Sequence, residues 1–223
     1  MTQQDIIPLT EKFVQETLQH AEGGHDWWHI LRVWNNAKTI AQNENGISRK
    51  SLLIIELGAL LHDIADAKFH DGDEEVGPRV ARTFLTSLNV DAEVIQHVDD
   101  IIRHISFKGG NFDKTFHSRE LAIVQDADRL DAIGAIGIAR TFNYGGFKNR
   151  EMYNPHIPPE LFLTKEAYKN SSAPTINHFY EKLLLLKDRM NTATGKKMAE
   201  QRHVFMESFL KQFYAEWAGN MID

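Results

Sequence analysis

At 223 residues, with 42% hydrophobic and 25% charged positions, the chain is long enough for one sizeable core, and a single domain over 1–223 is expected. A formal net charge of −6 and a pI near 6.0 provide no global basic field, which argues against nucleic acid and anionic membranes as partners. The lack of cysteine excludes disulfides, thiolate metal sites and a thiol nucleophile.

The stretch from Met1 to Pro8 has neither the basic nor the apolar region of a signal peptide. No uncharged apolar run approaches the ~20 residues that span a bilayer. A cytoplasmic protein is therefore expected. Helical periodicity dominates from there on. Val33, Ala37 and Ile40 follow His29 at near-helical spacing, which places His25 and His29 at the start of one helix. Ser48 is a candidate cap for the next helix, whose apolar residues run into His62-Asp63. A third helix is expected over residues 74–88. Asp91 is a candidate cap for a fourth, with Val94, Ile95, Val98, Ile101, Ile102 and Ile105 as its buried face. Ser118 is a candidate cap for a fifth, running from Arg119 through Asp128 to about Phe142. Two C-terminal helices fit residues 175–190 and 195–217. Residues 107–113, with Gly109-Gly110, read as a loop, as do residues 143–174, with Gly145-Gly146. The length of the second suits a lid or a binding loop. The near absence of strand signals makes the expected fold class all-α.

Several acidic residues and histidines fall where chemistry is expected. His25 and His29 are four apart and share a helix face, so either can be a ligand, or one coordinates while the other orients. His62 and Asp63 end an apolar helix and point about 100° apart on a regular helix. Both reach one ion only where the helix end lets them converge. Asp128 lies among Leu121, Ile123, Val124, Ala127, Leu130 and Ile133, where a carboxylate is costly unless paired or bound to metal. Of its neighbours, Asp126 reads as solvated and Asp131 as a partner for a ligand histidine. A nitrogen and oxygen donor set without sulfur suits Mn, Fe, Zn or Mg.

In chain order, His29 within His-Ile-Leu-Arg-Val, then His62-Asp63, then Asp128 within Asp-Ala-Asp-Arg-Leu-Asp resemble the signature of the HD-domain metal-dependent phosphohydrolase superfamily. The motif-bearing region covers about residues 20–142. The phrases GHDWWHILRVW, ALLHDIADAKFHDGDEE, QDADRLDAIGAIGIART and NHFYEKLLLLKDRMNT are similar to a narrower group, the small bacterial YedJ/YpgQ-like HD hydrolases, over nearly the whole chain. The resemblance implies a single-domain, all-α helical bundle with a central metal site, the C-terminal helices near 175–218 packing on the motif core. It implies His29, His62, Asp63 and Asp128 as metal ligands. His29 is preferred to His25 because the family's first histidine precedes an x-x-Arg-Val sequence, here Ile30-Leu31-Arg32-Val33. The implied divalent cation is Mn, with Mg, Fe, Co, Ni or Zn as alternatives.

The same resemblance suggests catalytic roles. Asp66 occupies the place where related nucleotidases carry an acidic residue that orients or deprotonates the attacking water. Lys68 is a candidate point charge on substrate phosphate. His104 lies in a segment where many HD proteins place a histidine near the metal. There it would donate to phosphate, protonate the leaving group or help bind a second ion. His97, seven residues earlier, is expected farther from the ion. Arg129, Arg140, Lys148, Arg150, Lys182, Lys187 and Arg202 are candidates for a phosphate rim, and Trp27, Trp28, Tyr144 and Phe147 for stacking on a base. The expected activity is hydrolysis of a nucleotide phosphate bond by metal-activated water, more narrowly nucleoside triphosphate to monophosphate plus pyrophosphate. The partner is then a small phosphorylated molecule. The alternatives are a nucleotide monophosphatase, a cyclic-nucleotide phosphodiesterase, a di-iron oxygenase using His97 and His104, and a non-catalytic nucleotide or metal sensor.

Overall fold

Helical periodicity in the sequence becomes helix over most of the described residues of the computed structural model, which are 3–19, 26–65, 73–105, 116–161 and 172–221. Among them there is no strand, so the all-α expectation is met. No helix among them is long and apolar enough to cross a membrane. Two compact units, residues 1–128 and 129–223, are described in turn.

The first unit opens with α1 (Gln3–Thr17), an element the sequence reading did not assign. Pro8 lies inside it, and an internal proline normally argues against a helix. The turn survives because the Thr10 hydroxyl donates to Ile6 O at 2.8 Å and Phe13 stacks on Phe84 with centroids 4.0 Å apart. Helix α2 (Trp27–Asn43) starts at Asp26, whose carboxylate accepts from His29 N. Ile30, Val33, Ala37 and Ile40 form its buried stripe. Helix α3 (Arg49–Leu61) starts where expected, with the Ser48 hydroxyl accepting from Ser51 N. Its second half is buried at every position but one from Ile54 to Leu61, because α1, α2 and α5 all pack on it. Helix α4 (Val76–Ser87) and α5 (Ala92–His104) match their predicted spans within two residues. Asp91 caps α5 through Glu93 N and Val94 N, and the predicted apolar face of α5 is buried. Gly58 lets α3 approach α5: a Cβ there would lie 3.1 Å from Ile101 Cδ1. Helix α6 (Arg119–Asp131) has Ser118 as its cap, with Leu121 N donating to Ser118 Oγ at 3.0 Å.

In the second unit the structure corrects three expectations. The helix predicted to run on to Phe142 breaks after Asp131, and α7 (Gly134–Phe147) begins after Ile133, which is extended. Gly134 sits at φ +75°, a conformation that favours glycine, and the Arg202 side chain packs where its Cβ would be. The Arg202 guanidinium donates to Leu130 O, closing the end of α6. Residues 143–147, predicted as loop, continue α7. Gly145 serves close packing there, since a Cβ would fall 2.2 Å from Thr175 Oγ1. The helix predicted over 175–190 divides into α8 (Asn177–Glu181) and a 3-10 helix (Leu183–Arg189) at Lys182, whose φ and ψ of −144° and −56° are not helical. Helix α9 (Ala193–Trp217) forms as predicted, with Thr192 capping Gly195 N. It packs on α7, and Phe142, Phe179 and Phe209 meet in the shared core.

Two measurements check this account. Gly145→Ala should lower the urea-unfolding free energy by about 1–3 kcal/mol through overpacking, whereas Gly146→Ala, with open space at its Cβ, should be neutral or stabilising. His178 provides a pH test. Burial, aided by Lys182 and Arg150, pushes its pKa down to about 3 from the usual 6.5. The unfolded chain therefore binds this proton first as pH falls. His178 favours folding fully above pH 6.5, and that contribution is lost progressively as pH drops from there toward 3. His178→Gln should flatten the fall of the urea midpoint across that window.

Candidate metal centre

Three helices of the first unit bring a metal-type donor set together. His29 lies in the first turn of α2, with its position fixed by the Asp26 cap, which accepts His29 N at 2.9 Å. His62 ends α3 as its C-cap residue. Asp128 is carried by α6, and α6 is tied to α2 by Asn36 Nδ2 donating to Ala127 O at 3.2 Å. One ligand atom from each of His29, His62 and Asp128 lies within 4.8 Å of the others. Asp128 Oδ1 is 3.6 Å from His29 Nε2 and 3.9 Å from His62 Nε2. Three donors about 2.0–2.2 Å from one ion would be roughly 3–4 Å apart, so the spacing fits a shared cation. Both histidines are buried, while the Asp128 side chain is 37% exposed, so the centre opens to solvent on the carboxylate side.

The protonation pattern supports the same fit. His62 Nδ1 lies 2.9 Å from Ala59 O, a carbonyl of the last turn of α3. A carbonyl only accepts, so Nδ1 carries the ring proton and Nε2 carries the lone pair. That Nε2 is fully buried and has no hydrogen-bond partner. An unsatisfied buried acceptor is costly, and a cation beside it removes the cost. Metal-ligating histidines commonly hold their second nitrogen to a backbone carbonyl in this way. The C-terminal dipole of α3 adds partial negative charge at the same point.

The other nominated residues are distributed unevenly. Asp63 follows His62 in a turn and is half-buried, but it is not one of the three residues whose donor atoms converge. His25, Asp66, Lys68 and the Gly109-Gly110 loop lie outside the described residues. His104 ends α5 with Nδ1 2.7 Å from Asp100 O, which leaves Nε2 as its acceptor nitrogen. His97 lies two turns earlier on the same face of α5, and its Nε2 is 2.8 Å from Ser118 Oγ and 3.5 Å from Glu120. Phe116 lies against both rings, 5.4 Å from His97 and 5.5 Å from His104 between centroids. Asp126, read as solvated, is instead fully buried, since the apolar face of α6 extends farther round than its sequence suggested. The Asp131 carboxylate accepts from Arg140, which sets a guanidinium beside it.

Sequence reasoning gave no signal for a charged cluster beside His104. Arg103 donates to both Glu75 and the buried Asp99, and Arg82 approaches Asp99 Oδ1 at 3.1 Å. Glu75 first and then Asp99 raise further the already high pKa of Arg103, outweighing burial, which acts to lower it. Several candidates for a phosphate rim are committed inside the second unit. Arg129 donates to Arg189 O, Arg140 to Asp131, and Arg202 to Leu130 O. Lys187 pairs with Glu200 at 3.5 Å. Lys148 sits over the Tyr144 and Phe147 rings, and Arg150 over Tyr144. Trp27 is half-buried and Trp28 is 63% exposed.

Comparison with known proteins places this geometry in a family context. Residues 27–133, which contain all four nominated metal ligands, match the HD domain model. YpgQ of Bacillus subtilis is 38% identical over 210 residues, covering 93% of this chain and 91% of its own. An HD-superfamily hydrolase of Bacillus thuringiensis is 44% identical in a superposition with a TM-score of 0.76, covering 97% of this chain and 99% of that one. YpgQ in complex with ADP superposes with a TM-score of 0.76 at 33% identity, covering 97% of each chain.

Metal titration tests the donor set. His62→Ala and Asp128→Asn should each weaken Mn²⁺ binding at least about tenfold in calorimetry. Asp63→Asn, measured alongside, reports whether Asp63 turns in to join the other three when the ion binds: a comparable loss would show that it does.

Proposed function

The chain belongs to the HD-domain superfamily of metal-dependent phosphohydrolases, and from that premise we propose that it cleaves a phosphate bond of a nucleotide, with nucleoside triphosphate going to monophosphate and pyrophosphate. The observation that carries the reading is the buried His62 Nε2, aimed with His29 Nε2 and Asp128 at one point and lacking a hydrogen-bond partner. Asp63 completes the proposed ligand set, and the whole of 1–223 acts as one cytoplasmic enzyme. The ADP held by the relative YpgQ supports a nucleotide as the ligand class.

His29, His62, Asp128 and Asp63 would hold a divalent cation, Mn in our reading, which when bound would supply Lewis acidity toward a phosphoryl oxygen and water. The protein's own groups then have separate tasks. His29 and His62 hold fixed positions because each is buried and anchored through the backbone of its helix end. Asp128, the exposed member, borders the side from which substrate and water arrive. Asp66 takes the proton from the attacking water. Lys68 pairs with a phosphate oxygen as a point charge. His104, while neutral, offers Nε2 as an acceptor, because Nδ1–H points to Asp100 O. It donates to the leaving group only as an imidazolium. With no thiol in the chain, direct attack by water is the simplest route.

The di-iron alternative draws on His97, whose Nε2 is engaged by Ser118 and Glu120. Among the described residues the converging donors are only His29, His62 and Asp128. Phosphorus NMR of products from a nucleotide panel with Mn²⁺ decides the bond cut. Pyrophosphate with nucleoside monophosphate is expected. Orthophosphate as the sole inorganic product would overturn the pyrophosphohydrolase reading. Hydrolysis that persists in a His62→Ala/Asp63→Ala variant would overturn the assigned site.

A further inference from the structure

Among the described residues of the first unit, the large hydrophobic side chains left exposed are Leu9 at 41% and Trp28 at 63%. Leu9 is on α1. Trp28 is in the first turn of α2, immediately before the metal-type ligand His29. Its indole makes no hydrogen bond, ion pair or ring contact among the described residues, although tryptophan usually finds a partner for its N–H when buried. Exposing so large an apolar ring next to a polar centre is unfavourable in the free protein.

The helical wheel shows which way this ring lies. Residues on α2 advance by about 100° each, so Arg32 falls about 40° and Asn36 about 80° round from Trp28. Asn36 Nδ2 reaches Ala127 O on α6, and His29 Nε2, about 100° round, reaches Asp128 Oδ1. The core residues Val33, Ala37 and Ile30 lie farther round still. Trp28 therefore stands on the solvent side of α2, nearly opposite its buried stripe and about 100° round from His29. Asp128, at 37% side-chain exposure, is the open member of the centre. A flat, exposed apolar ring one residue from a donor of a cation-type centre is a surface for a planar ring joined to an anionic group.

We propose that Trp28 is a specificity-determining residue whose indole stacks on the base of the substrate, so that the site selects phosphates that carry a planar ring. This rests on the nucleotide reading above, and it assigns the recognition of the base to one side chain. Base–aromatic stacking adds affinity whatever the identity of the base, because every base has a π-face. The resulting selection is for ring-bearing phosphates as a class, with little preference among purines and pyrimidines.

The test is direct binding, which does not depend on turnover. ADP and inorganic pyrophosphate are titrated in the presence of Mn²⁺ into the wild type, Trp28→Ala and Trp28→Phe, with melting curves confirming that each variant is folded. Trp28→Ala is expected to weaken ADP at least about fivefold and pyrophosphate less than about twofold, and Trp28→Phe to retain most of the ADP affinity. The proposal is overturned if Trp28→Ala binds ADP within about twofold of wild type. It is also overturned if ADP and pyrophosphate weaken together, which would make Trp28 a support for His29 only. ADP binding that depends on Trp28 in a protein that hydrolyses no nucleotide would sink the proposed reaction while leaving the stacking role standing.

Discussion

The imidazole of His62 is held by one hydrogen bond, and the chemistry of the site depends on it. Ala59 O is among the last carbonyls of α3, groups that have no partner within the helix. By giving its Nδ1 proton to that carbonyl, His62 repairs the end of α3 and fixes its own tautomer at the same time. The consequence is a lone pair on Nε2 in a place that water does not reach. Swinging the ring to relieve Nε2 would strand Ala59 O. A structural need at a helix end and a chemical need at a cation centre are met by the same conformation.

The rest of the first unit keeps the three donors in register. Helix α3 is buried on nearly all sides, so His62 has no freedom to slide. Asp26 both starts α2 and fixes the backbone of His29, so the ligand sits at a defined helix end rather than on a loop. Asn36 ties α2 to the turn of α6 that carries Asp128. The convergence is thus a property of three helix positions, each set by a cap or a cross-link.

Much of this was legible in the sequence because caps and apolar periodicity are local. Ser48, Asp91 and Ser118 each start a helix where predicted, since the signal is one oxygen three residues ahead of an apolar stripe. Of the converging donors, Asp128 stood out because a carboxylate amid apolar residues calls for a partner. The choice of His29 over His25, and its grouping with His62, came from the resemblance to HD phosphohydrolases. What escaped depends on distant contacts. The break at Gly134 is set by Arg202, far along the chain, and Gly145 belongs to a helix because Thr175 packs against it. Helix α1 was hidden by Pro8, and the burial of Asp126 by the width of the apolar face on α6. The Arg103 cluster left no trace because ion pairs between α4 and α5 have no sequence period.

Gly58 and His62 are one turn apart on α3 and so share a face, with Gly58 seated against Ile101 of α5. A rigid helix transmits sideways displacement along its length. A single extra methyl at position 58 would therefore act as a wedge under His62, four residues away, and so under the converging donor set. The placement of the donor set and the packing of the core are mechanically joined in this fold, so a larger residue 58 calls for a smaller residue 101.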